Sequence, residues 1–147
     1  MLCCAWTIQA QHLSFHNISS NSQLPSGETR KLCQDSDGYL WIPTSNGLAR
    51  YDGYDFLFVK TDKSTRQQVL SGYVNLVSED SSGNLWIGTN NGLFLMDKET
   101  GNISKKLTPV MDNSHIEAVL PAKDGTVWVA TNRGLFAKLP NSEDFAY

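Results

Sequence analysis

Any chemistry in this chain of 147 residues has to start from three histidines, a few acidic turns, and asparagines, arginines and tyrosines set beside glycines. His12, His16 and His115 are the side chains suited to ligate a metal or move a proton. Only His12 and His16 have a ligand-like spacing. On a strand that pair lies on one face about 13 Å apart, too far to share an ion, so all three are expected to be edge or surface histidines. The turn Asp35-Ser36-Asp37-Gly38 carries the first half of a calcium loop. Its counterparts, Asp80-Ser81-Ser82-Gly83 and Ala122-Lys123-Asp124-Gly125, lack the remaining ligands, and a capped hairpin turn accounts for all three. Cys33 follows Leu32 in a strand-like run and reads as a buried free thiol, because no histidine is placed to activate it. No paired carboxylates follow a glycosidase pattern. No catalytic residue, metal or cofactor is expected.

Binding chemistry has more to work with. Asn46, Arg50, Tyr51, Tyr54, Asn90, Asn91, Asn132 and Arg133 fall in or next to turns. Asparagine and arginine suit hydroxyls and carboxylates, and tyrosine offers a stacking face. These eight are the candidate ligand-binding residues, with turn geometry or a solvated rim as the competing reading for each.

The elements that hold them come from a repeat. Asp37-Gly-Tyr-Leu-Trp-Ile-Pro-Thr-Ser-Asn-Gly-Leu48 returns as Ser82-Gly-Asn-Leu-Trp-Ile-Gly-Thr-Asn-Asn-Gly-Leu93 and as Asp124-Gly-Thr-Val-Trp-Val-Ala-Thr-Asn-Arg-Gly-Leu135. Trp41, Trp86 and Trp128 each have a glycine three residues before (Gly38, Gly83, Gly125) and another six after (Gly47, Gly92, Gly134). A unit of this length, rich in strand formers and punctuated by glycine, predicts propeller blades. The expected fold is all-β: about three four-stranded antiparallel blades in an incomplete ring. Blade one is assigned to 29–60, blade two to 73–107 and blade three to 115–147. Asp37-Gly38 is expected to form an Asp-Gly hairpin turn. Phe145 to Tyr147 would be a curtailed fourth strand of the last blade. The tryptophan strands are apolar at nearly every position, as in sheets covered on both faces, so each tryptophan should pack between neighbouring blades. A separate strand is expected at 12–18, and Arg66 to Leu70 has the makings of one helical turn.

Composition narrows the partners. The formal net charge is −3, charged residues make up only 18%, and no run of lysine or arginine occurs, which argues against nucleic acid and anionic membranes. Residues 1–10 resemble the remnant of a signal peptide, with a cleavage point at Ala10-Gln11 but no basic residue ahead of the apolar run. Cys3 and Cys4 fall in that leader, leaving Cys33 without a disulfide partner in 11–147. No segment has the roughly 20 apolar residues that a membrane helix needs.

The motif Gly-x-[Leu/Val]-Trp-[Ile/Val]-x-Thr-x-x-Gly-Leu, present three times in phase, closely resembles the regulator-propeller repeats of hybrid two-component system sensors from Bacteroides-type bacteria. The lead-in Phe15-His-Asn-Ile-Ser, Leu24-Pro-Ser, and Ala49-Arg-Tyr-Asp-Gly-Tyr-Asp-Phe56 are similar to the same sensor regions. The likeness covers about residues 11–147. It implies a periplasmic propeller that senses glycans or oligosaccharides, joined in full members to a histidine kinase. It implies as partners an oligosaccharide, and further blades or a second copy of the chain, since three blades do not close a ring. An isolated three-blade stack is expected to pair, as two halves of a six-blade ring, or to be poorly soluble. The acidic turn also resembles the Asp-box of sialidases, with the wrong spacing to tryptophan. Two alternatives accompany the sensor reading. One is a structural or protein-interaction propeller. The other is an enzyme similar to streptogramin lyases, whose metal-assisted histidine and glutamate set is not visible here.

Overall fold

The computed structural model describes Ser14, Leu24, residues 28–59, Leu70, residues 73–106, Met111 and residues 113–147. The leader at 1–10, His12, His16 and the helical turn beginning at Arg66 lie outside the described residues, as does the strand at 12–18 apart from Ser14.

Strand-forming runs separated by glycine turns give three antiparallel sheets, and no helix occurs among the described residues. The first sheet comprises β1 (Cys33–Gln34), β2 (Leu40–Thr44), β3 (Gly47–Tyr51) and β4 (Phe56–Phe58) in the order β1-β2-β3-β4. The second repeats that plan with β5 (Val74–Glu79), β6 (Leu85–Thr89), β7 (Gly92–Met96) and β8 (Ile103–Lys106). The third has β9 (Ile116–Pro121), β10 (Val127–Thr131) and β11 (Gly134–Lys138). Ala146 stands where its fourth strand would run, exchanging two 2.9 Å backbone hydrogen bonds with Ala137. The three sheets are stacked blades that do not close a ring.

Two apolar layers join the sheets. Trp41 and Leu48 from the first sheet meet Val74, Val77, Leu85 and Ile87 from the second. Trp86 and Leu93 from the second meet Ile116, Val127, Val129 and Phe136 from the third, with Phe145 edge-on to Trp86 at 5.9 Å. Gly88 has no side chain because β9 passes over it: a Cβ there would lie 2.8 Å from Ile116 Cγ2.

Trp128 departs from the expectation that every tryptophan lies between blades. Trp41 and Trp86 are 2% and 3% exposed, whereas Trp128 is 42% exposed. It occupies the equivalent position on the third sheet, but on the face away from the second, where no further sheet is described. The turns differ in detail as well. Gly38 N–H donates to Asp35 O at 3.0 Å and Asp35 N–H to Tyr39 O at 3.0 Å. That is a three-residue loop ending in a left-handed glycine (φ +89°), in place of a two-residue Asp-Gly turn. Cys33 is a free thiol as expected, but half-buried, and burial raises its pKa.

Candidate functional site

The strand order separates the turns into two rims. The turns β2–β3, β6–β7 and β10–β11 lie on one, called here the upper rim, and the turns β1–β2, β3–β4, β5–β6, β7–β8 and β9–β10 on the other, the lower rim.

One threonine device builds the upper rim three times. The Oγ1 of Thr44, Thr89 and Thr131 donates to the carbonyl of Gly47, Gly92 and Gly134 at 2.9, 2.8 and 3.1 Å. Each hydroxyl also accepts the N–H of Asn46, Asn91 or Arg133 at 3.2, 3.0 and 3.0 Å. These bonds use both capacities of the hydroxyl and fix a two-residue turn with its tip side chain held outward. Asn46, Asn90, Asn91, Asn132 and Arg133 are accordingly all exposed on one rim, at equivalent places in successive blades. Asn132 has a structural duty as well, its Oδ1 accepting the His115 N–H at 3.1 Å.

Arg50, Tyr51 and Tyr54 belong elsewhere. They sit toward the lower rim of the first sheet, at the far end of β3 from Asn46. The Arg50 guanidinium lies 4.2 Å from the Tyr39 ring centroid. Tyr51 stacks on Phe56 and donates its hydroxyl hydrogen to Gly53 O at 2.7 Å. Tyr54 is 90% exposed in the following turn. The eight candidates therefore do not form one site: five share the upper rim, and three lie by the opposite one.

Sequence reasoning missed an ionic knot on the lower rim. Lys98, from the β7–β8 turn, donates to Asp37 Oδ2 at 2.7 Å and to Glu79 Oε1, and lies 3.5 Å from Asp35 Oδ2. Glu79 in turn accepts from Ser36 N–H at 2.6 Å and from Ser36 Oγ at 2.8 Å, so the knot ties the first sheet to the second. Asp35 is its buried end: Oδ2 accepts from Trp41 Nε1 at 2.8 Å, and Oδ1 from the N–H of Asp37 and Tyr39 at 3.1 and 2.9 Å. Burial pushes the Asp35 carboxyl up, but the indole and backbone donors and the Lys98 charge outweigh it and hold the group below the usual carboxylate range. Glu79 is lowered too, burial being outweighed by its bonds to Lys98 and Ser36. Lys98 itself is raised well above the usual lysine value: burial opposes this, and its carboxylate partners prevail.

Asp80 repeats the cap in the second sheet, accepting from Trp86 Nε1 at 3.0 Å and from the N–H of Ser82 and Asn84 at 2.9 and 3.0 Å. The acidic turns are thus capped hairpins whose carboxylates are occupied by the protein's own donors. In the third repeat Ala122 replaces the capping aspartate, and Asp124 caps through Thr126 N–H at 2.9 Å instead. Next to the knot, Ser36, Asp37, Asn84, Asp97 and Lys98 line an open cleft of about 580 Å³. A second, of about 570 Å³, lies between the second and third sheets and includes Asp80, Asn84, Lys138 and Asp144. Among the described residues no cluster of His, Cys, Asp and Glu has metal-holding geometry. Nor do they contain a helix long and apolar enough to cross a membrane.

A family profile described as a two component regulator propeller matches residues 23–46 and 68–91. No curated protein matches the chain. Among solved structures, the chain is similar to the extracellular domain of the hybrid two component system BT3049 from B. thetaiotaomicron, at 26% identity and a TM-score of 0.75, covering 89% of this chain and 20% of that one. The extracellular domain of the one component system BT4673 from the same organism matches at 23% identity and a TM-score of 0.71, covering 86% of this chain and 17% of that one, a likeness of fold alone. The chain therefore spans about a fifth of the length of the structures it matches. The profile covers the first two copies of the repeat, and the three copies stacked as blades make the chain similar in sequence and fold to two-component regulator propellers.

Proposed function

We propose that this chain supplies blades to the periplasmic, ligand-reading propeller of a hybrid two-component sensor that responds to glycans or oligosaccharides. One observation carries the reading: identical threonine-pinned turns present Asn46, Asn90, Asn91 and Arg133 along one rim. Amides and a guanidinium held at regular intervals suit a chain of hydroxyls better than a single small group. Extracellular domains among the similar structures support the location outside the cytoplasm. The kinase belongs to the full sensor and is not assigned to these residues, and no catalytic role is proposed for them. Further sheets are taken to continue the stack beyond the third.

The test is a thermal-shift screen of the complete propeller against an oligosaccharide panel, repeated with Asn91→Ala and Arg133→Ala together. A ligand present at about 100 times its Kd stabilises by about 2.7 kcal/mol, and the double variant is expected to lose most of that shift. Hits that survive the double variant unchanged would remove the upper rim from the reading. An absence of hits together with capture of a protein partner would replace it with the interaction-module alternative, which the exposed Trp128 face favours.

A further inference from the structure

Each inner strand slips its register by one residue at the same place in the repeat. The slip falls between Thr29, opposite Thr44, and Cys33, opposite Trp41, in the first sheet. It falls between Val74 and Leu76 in the second, and between Ile116 and Ala118 in the third. Such a bulge re-aims the side chain of the extra residue. By repeat position the residues concerned are Arg30, Asn75 and Glu117. Two of them reach the next sheet and meet the same place there. The Arg30 guanidinium lies 5.7 Å from the Tyr73 ring centroid. Asn75 Nδ2 lies 3.2 Å from His115 Nε2 and donates to Ile116 O at 3.2 Å. Tyr73 and His115 are equivalent, because their carbonyls accept the N–H of Asn90 and Asn132 from the upper-rim turns of their own sheets, at 3.2 and 3.1 Å. In both interfaces the bulge residue of one sheet meets the residue that opens the inner strand of the next.

Glu117 is the third bulge residue, and no next sheet is described for it to meet. Its carboxylate is 59% exposed, and the charged or titratable group facing it is His115 of its own sheet, at 3.7 Å. On the same sheet Leu120, Trp128 and Leu135 are exposed. Trp128 and Leu135 repeat the places of Trp41 with Leu48 and of Trp86 with Leu93, all four buried under a neighbouring sheet. The indole N–H of Trp128 also lacks the in-repeat acceptor that Asp35 and Asp80 provide, Ala122 standing there instead.

We propose that the outer face of the third sheet docks a further four-stranded sheet of the same repeat, whose inner strand opens with a basic side chain that pairs with Glu117. This rests on the reading that further sheets continue the stack, and adds the chemistry that selects the next one. A second copy of this chain is the wrong occupant. Its residue at the opening position is Glu28, whose carbonyl accepts Ser45 N–H at 3.2 Å and whose carboxylate pairs with Arg30 of its own sheet at 2.9 Å, so the opening position of a second copy offers Glu117 a carboxylate where a base is needed. The face of the first sheet needed for such stacking carries Ile42 and Ala49, which are already buried.

The test extends the full chain after Tyr147 with a copy of residues 68–106. The copy's opening tyrosine is changed to arginine or glutamate (Y73R or Y73E, in the copy only), each paired with Glu117 and with E117K. Hydroxyl-radical oxidation of Trp128, read by mass spectrometry, reports whether the face is covered. The opposite-charge combinations, Y73R with Glu117 and Y73E with E117K, are expected to protect Trp128 about tenfold better than the like-charge ones. Equal protection in all four proteins overturns the charge rule and leaves the stacking in place. Full oxidation in all four overturns the stacking as well.

Discussion

Asp35 and Asp80 each close a turn and satisfy a tryptophan with one carboxylate, but only Asp35 also faces a lysine. Asp35→Asn leaves a buried indole or backbone N–H without its acceptor and removes one charge from the knot. We expect it to cost about 1–3 kcal/mol, more than Asp80→Asn, as measured by urea unfolding of both variants. The glycine of the same turn fails for a different reason. At Gly38, φ is +89° and nothing lies within 4 Å of an added Cβ. Gly38→Ala should therefore cost about 1 kcal/mol through backbone strain alone, with the packing intact by near-ultraviolet circular dichroism.

Between elements, the two interfaces are held differently. The first has the Lys98 knot, while in the second the positions of Glu79 and Lys98 are taken by Pro121 and Pro140, leaving apolar packing and the Asn75 contacts. The carboxyls of Asp35 and Glu79 are lowered in the folded state, so their stabilisation is full above the unfolded carboxylate value, about 4, and is lost as pH falls through the folded values. Stability should therefore drop below about pH 4, and Lys98→Met should flatten that drop in pH-dependent denaturation, because it removes the charge that helps hold both groups low. At the second interface Gly88→Ala drives a Cβ to 2.8 Å from Ile116 Cγ2 and 3.0 Å from Leu76 Cγ. Overpacking of this kind costs about 1–3 kcal/mol, and hydrogen exchange should rise in β9 and β6 before β2 if the two layers respond separately.

At the scale of the molecule, the third sheet leaves a contiguous apolar patch of Leu120, Trp128 and Leu135 in solvent. Leu120→Ser with Trp128→Ser should raise the concentration at which the chain stays monomeric in sedimentation, while shifting the unfolding free energy by less than about 1 kcal/mol. Trp86→Ala, from the same repeat position under cover, should cost about 3–5 kcal/mol. Unchanged solubility in the double variant would show that the patch does not drive association.

The repeat made the blades legible from residue types alone, because a glycine-bounded hairpin and a short run of apolar strand formers are local physics, decided within about a dozen residues. Trp41, Trp86, the threonine-pinned turns and the capped acidic turns all follow from that local grammar. What each repeat meets is decided by its neighbour, and that is a tertiary matter. Identical sequence positions bury Trp86 and expose Trp128, split eight candidate residues between two rims, and bring Lys98 to Asp37 from 61 residues away. Residue types specify that a strand is apolar on both faces, whereas only the stacked sheets specify what covers each face and which charges meet across it.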